Sequence, residues 1–267
     1  GMHHLWSNQK PTADEVWKKI GALKNWQLVG AFDNTTGSGF DKNYPPIQQP
    51  NSDAKFISKS NSDIHWFTPP HFQDEPYIAT EYYFHERTGI IYAQTFVDNP
   101  KTQKVILGAG VTGSLKVWVN DKLIIEQEEE LRTDMDVFTR EFELPKGINR
   151  FLVQLGHTSK SGYPNFVLRL IDENRNPLTG FNSTNEYQEY NSPNSIQSVK
   201  EVPHFAEAFF QKKLEESPRN ILYHVLLAKT YNRSNKFNEA IKILEKAKEI
   251  YPKNPLVQFE LVTNYSS

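Results

Sequence analysis

Between residues 25 and 180, apolar and polar positions alternate in short runs broken by turn residues. After Val202 the apolar positions recur at helical spacing. A change from period two to period 3.6 predicts two structural classes in one chain. The run WQLVGAF at 26–32 is apolar and is followed by the turn-rich stretch DNTTGSG at 33–39. Further strands are predicted at 77–84, 90–98, 104–108 and 115–119, then at 122–127, 137–144, 148–155 and 166–171, all rich in β-branched and aromatic residues. Asn120-Asp121 and Pro145-Lys146-Gly147 supply tight turns. Turns at this spacing predict an antiparallel β-sandwich over 25–180.

Two flanking segments read differently. Thr12 followed by Glu15 forms a capping box, and Val16, Trp17, Ile20 and Leu23 share one helical face. A helix within 1–24, stopped near Gly21 and Asn25, is expected to pack on the sandwich. Residues 181–201 carry polar breakers such as Asn182-Ser183-Thr184-Asn185 and Asn191-Ser192-Pro193, with no apolar period. They are read as a linker between domains.

The helical part, 202–267, repeats itself. Ala206 and Ala240 stand 34 residues apart, as do Phe210 and Leu244, Pro218 and Pro252, Asn220 and Asn254, Leu227 and Leu261, and Tyr231 and Tyr265. Small Ala228, Ala240 and Ala247 allow antiparallel helices to approach. Leu227, Tyr231 and Leu244 fill the space between them, and each proline stops a second helix.

Residues 221–254 resemble a complete tetratricopeptide (TPR) unit. Leu227, Ala228, Tyr231, Ala240, Leu244, Ala247 and Pro252 match the family pattern. Asn235 stands where the family prefers glycine, and His224 where it prefers an aromatic ring. Residues 202–217 are similar to the second helix of a preceding unit, and 255–265 to the first helix of a following one. An uncapped array exposes an apolar face, so the natural protein is expected to continue; the rival expectation is that the last helix caps the domain. The resemblance implies protein or peptide partners. It puts Lys229, Asn232 and Arg233 on the ligand side, where they suit an acidic peptide or a C-terminus. A solvated helix face is the plainer alternative.

The sandwich region carries a second resemblance. The run 29–34 with GSGFD at 37–41 is similar to the start of large exported bacterial proteins that combine a sandwich, TPR repeats and a transglutaminase-like domain. The runs LKVWVNDK at 115–122 and GINRFLV at 147–153 resemble galactose-binding-like and PA14-like sandwiches. This implies a jelly-roll or galactose-binding-like fold that binds sugar or packs against a neighbouring domain. In PA14-like lectins an aspartate pair before the V-W-V strand holds calcium. Here 109–113 reads AGVTG, without a carboxylate, so calcium-dependent sugar binding is not expected there.

Composition narrows the partners. The 267 residues carry a net charge of -2, which disfavours nucleic acid as a main partner. No apolar run is long enough to span a membrane. The absence of cysteine removes disulfides, thiolate catalysis and cysteine-ligated zinc. Gly1 before Met2 reads as a cloning remnant. An export signal is expected to have been removed, leaving a periplasmic or cell-surface bacterial protein.

No nucleophile elbow, phosphate-binding loop, H-E-x-x-H or dinucleotide fingerprint is present. Asp33 and Asp41 flank the glycine-rich loop, and a paired-carboxylate hydrolase is the alternative to their simpler role of bonding the local backbone. His65, His71, His85 and His157 match no ligand spacing, so no metal and no cofactor are expected. The aromatic cluster at 66–84 either packs inward or forms a sugar platform, with Trp66, Tyr82 and Tyr83 as its best candidates. The chain is therefore expected to be a non-catalytic binding or scaffold segment. The alternative is an accessory module of a glycoside hydrolase or transglutaminase-like enzyme whose catalytic domain lies downstream.

Overall fold

The computed structural model describes residues 19–70, 76–85, 88–158 and 162–265. The chain divides into two compact units after Glu201. The first is an antiparallel β-sandwich, and the second comprises four helices.

The central strands of the sandwich are β5 (Gly89–Asn99), β6 (Gln103–Val119) and β9 (Gly147–His157). Two strands are expected within the range of β6 and one is found, because no proline or polar turn interrupts 109–114. Its first half lies between β8 (Phe138–Leu144) and β10 (Asn165–Ile171). Its second half lies between β9 and β7 (Lys122–Arg132). One strand thus belongs to both sheets. β12 (Val199–Glu201) and β4 (Ile78–Ala79) extend the first sheet, while β5, β1 (Gln27–Phe32) and β11 (Asn182–Thr184) extend the second.

Gly113 marks the crossing, with φ of +132. A Cβ there would come within 2.6 Å of the Gly156 carbonyl oxygen. Gly113→Ala is therefore expected to cost about 1–3 kcal/mol, the usual scale of local backbone strain. Chemical denaturation measures it, and an unchanged midpoint would refute the role given to this corner.

Alternation places Ile91, Ala93 and Val97 of β5 in the core between the sheets, together with Leu107 and Val117 of β6 and Val153 of β9. Ile90 and Tyr92 face the other way, into a second core on the outer side of the sheet. Residues 33–67 cover that side. They contribute Phe56 and Trp66 from the hairpin of β2 (Lys55–Ile57) and β3 (Asp63–His65) and its flank, together with Tyr44 and Ile47. β5 is consequently buried on both faces, which explains its nearly unbroken apolar run.

Arg150 pins this covering layer. It is fully buried, and its guanidinium donates to the carbonyls of Pro46 at 2.8 Å and Ile47 at 2.9 Å, to Gln94 at 3.1 Å and to Asp121 at 3.0 Å. Gln154 and Lys116 add further ties, the first to the Phe40 carbonyl and the second to Asp41. Asn120 and Asp121 both hold positive φ, as a tight hairpin turn requires.

Three expectations are corrected. The strand expected at 77–84 ends at Ala79, because the Thr80 carbonyl accepts from both Tyr83 and Phe84 and closes a turn. Residues 181–201 are not a free linker: β11 pairs with β5, β12 pairs with β8, and Ile196 is buried. Side-chain bonds, such as Asn25 to the Ser183 carbonyl at 2.7 Å, replace the missing apolar period. The expected N-terminal helix lies mostly outside the described residues. Within them, 19–21 is a turn, and Gly21 and Asn25 hold positive φ.

The second unit contains α1 (Phe205–Glu216), α2 (Ile221–Arg233), α3 (Phe237–Ile250) and α4 (Pro255–Tyr265). Asn220 caps α2 and Asn254 caps α4, each accepting backbone N–H groups. Asn235 adopts φ of +59, so it meets the left-handed turn for which the family uses glycine. Ala228, Ala240, Leu244 and Ala247 are buried at the helix contacts. Among the described residues, no helix is long and apolar enough to cross a membrane.

Candidate functional site

The three platform candidates do not share a surface. Trp66 is only 3% exposed. Backbone bonds between Leu28 and Phe67 hold its segment against β1, its ring meets Phe56 edge-on at 6.1 Å, and its Nε1 donates to the Gln49 carbonyl. It belongs to the second core, which corrects its assignment to a sugar platform. Tyr83 is half-buried, with its ring 6.2 Å from Phe67. Tyr82 is 60% exposed and Tyr163, which the sequence reading missed, is 75% exposed. The Thr80 amide and hydroxyl both donate to the Pro164 carbonyl at 3.0 Å, tying the segments that carry these two tyrosines. A lone aromatic between Gly162 and Pro164 has no periodic neighbours to signal it.

The carboxylates serve the local structure. Asp33 accepts from the Thr35 hydroxyl at 2.7 Å, from the Thr35 amide at 3.2 Å and from Lys42 at 3.1 Å. The Thr35 hydroxyl first, and Lys42 next, lower its pKa to about 2. A depressed folded-state value stabilises the loop above the unfolded value of 3.8, and that contribution is lost as pH falls toward 2. An NMR titration should therefore find Asp33 ionised at pH 3; a midpoint near the unfolded value of 3.8 would contradict the bonding described. Asp41 pairs with Lys116 at 3.1 Å, and Asp136 makes a buried pair with Arg169 at 2.7 Å. A hollow of about 300 Å³ beside the glycine-rich loop is lined by Asn34, Ser38, Asp41, Ser114, Glu128 and Glu130.

His65 is exposed on β3 and His157 is buried on β9, while His71 lies outside the described residues. Among the described residues, no group of three or more histidines or carboxylates is gathered for a metal ion.

In the helical unit, Lys229 of α2 pairs with Glu260 of α4 at 2.7 Å. The reading of Lys229 as a cation open to an acidic peptide is corrected accordingly, because Glu260 already neutralises it. Near one turn further along each helix stand Asn232 and Asn264, and both Oδ1 atoms are buried without a hydrogen-bond partner. Arg233 is exposed. Glu260 and Asn264 were missed in the sequence. The usable signal was a single acidic residue inside the apolar run of 255–265.

A tetratricopeptide repeat model matches residues 206–263. No curated protein matches the chain. Among solved structures, β-glucosidase from Kluyveromyces marxianus in complex with glucose is 17% identical with a TM-score of 0.33, covering 40% of this chain and 14% of the enzyme. An anti-sigma factor domain-containing protein is 10% identical with a TM-score of 0.37, covering 58% of this chain and 45% of its own length. The chain thus spans less than half of either protein.

Proposed function

We propose that the chain is a non-catalytic binding segment whose helical unit engages protein along the row formed by α2 and α4. The observation that carries this reading is the tetratricopeptide match over residues 206–263, with Arg233 exposed on α2. With Lys229 neutralised by Glu260, the row suits main-chain amides better than a free carboxylate. The tetratricopeptide match supports a protein partner.

The test is Asn232→Leu in the full chain, screened against an immobilised peptide library. Because the Asn232 Oδ1 has no partner within the chain, stability should hold or rise. Peptide affinity should fall about tenfold, the equivalent of about 1.4 kcal/mol. Unchanged affinity for every peptide bound by the parent chain would reject the row as the binding surface.

A second reading, glycan stacking on the sandwich, is favoured by the exposed Tyr82 and Tyr163. A glycan array showing no ligand, or a ligand retained in Tyr82→Ala and Tyr163→Ala, would eliminate it.

A further inference from the structure

The ladder between β6 and β7 opens at one place. Gly113 pairs with Leu131, and Leu115 pairs with Gln127. Between these pairs β6 has Ser114 alone, whereas β7 has Glu128, Glu129 and Glu130. A bulge re-aims the side chains it carries, and here it brings Glu128 and Glu130 to the hollow beside the glycine-rich loop. Asp41 lines the same hollow from the loop side.

Ser114 lines it from the sheet. Leu115 and Val117 enter the core between the sheets, so Ser114 points to the opposite side of β6, as Trp118 does. Its neighbour on β9 is Gly156. A Cβ on Gly156 would come within 2.3 Å of the Ser114 Oγ, so glycine leaves the hydroxyl its space. Ser114 is only 3% exposed, yet its hydroxyl bonds to no other described residue. A buried hydroxyl left without a partner is costly, and the hollow is the side from which a partner reaches it.

The lining sets the chemistry of that partner. No cationic side chain lines the hollow. The nearby Lys116 is committed to Asp41 at 3.1 Å and Glu126 at 3.0 Å. Glu130 accepts from the Thr158 hydroxyl at 3.2 Å, while Glu128 is exposed and joins no ion pair among the described residues. The carboxylates are not gathered for a metal ion, and about 300 Å³ holds a small organic molecule. Carboxylates at the rim favour an ammonium group, and a hydroxyl at the base favours another hydroxyl.

We propose that this hollow binds a hydroxylated primary amine of amino-sugar size, its ammonium held by Glu128 and Glu130 and one of its hydroxyls by Ser114. The site belongs to the sandwich alone and does not rest on peptide binding by the helical unit.

Isothermal titration calorimetry of the full chain with glucosamine tests it, at a pH where the amine is protonated. Glucosamine should bind saturably. It should bind about tenfold more tightly than glucose, which lacks the ammonium, and than putrescine, which lacks the hydroxyls. Ser114→Ala should weaken glucosamine binding about three- to tenfold, the worth of one hydrogen bond. Its denaturation midpoint should hold or rise, because the hydroxyl bonds nothing within the chain. Glu128→Gln should weaken glucosamine and leave the weak binding of glucose unchanged. Absence of saturable glucosamine binding overturns the proposal. Equal affinity for glucose or for putrescine does so too, as does parental affinity in Ser114→Ala.

Discussion

Arg150→Ala is expected to destabilise the sandwich by about 3–5 kcal/mol, the scale for removing one partner of a buried ion pair. The substitution strips the carbonyls of Pro46 and Ile47 and the side chains of Gln94 and Asp121 of a shared donor. None of these losses is offset by an alanine methyl group. The effect should begin locally. Residues 46–50 would loosen, Trp66 would lose its bond to Gln49, and tryptophan emission would shift to the red before global unfolding. Asp41→Asn is the control, because its carboxylate side chain is 79% exposed and its pairing with Lys116 contributes little. Equal denaturation midpoints for the two variants would show that Arg150 does not anchor the covering layer.

Leu244→Ala should have the second large effect, about 2–5 kcal/mol, as cavity-forming substitutions do. Leu244 is fully buried in the core of the helical unit. At roughly 0.05–0.15 kcal/mol per residue, a helical unit of this size holds only about 3–10 kcal/mol in all. The variant should lose its far-ultraviolet helical signal at a much lower temperature. Trp26, Trp66 and Trp118 are buried in the first unit and no tryptophan follows residue 201, so tryptophan fluorescence does not report the helices. Simultaneous loss of both signals would show that the two units do not melt independently.

Much of the architecture was legible because it is periodic. β1, β5, β8, β9 and β10 follow alternating or continuous apolar runs, and the helices follow a 34-residue repeat. What escaped was set by distant contacts. Nothing local in 33–67 announces that it covers a sheet, because its fixation depends on Arg150, over a hundred positions beyond Pro46 and Ile47. The polar stretch 181–201 reads as a linker, yet hydrogen bonds and edge pairing dock it. Trp66 was ambiguous for the same reason: an aromatic ring reads alike in a core and on a platform, and only the partner segment decides. At the α2–α4 row, Lys229, Asn232 and Arg233 were pointed to by the tetratricopeptide resemblance, whereas Glu260 became relevant only once α4 was placed beside α2.

The sharing of β6 between both sheets has a consequence for how the sandwich can come apart. Two sheets joined only by loops can separate like the leaves of a hinge. Here the same backbone carries ladder bonds to β8 and β10 at one end and to β7 and β9 at the other. Prising the leaves apart therefore bends or tears a strand that each of them requires. The sandwich is built to fail as one body, and its weak points are the segments laid over it.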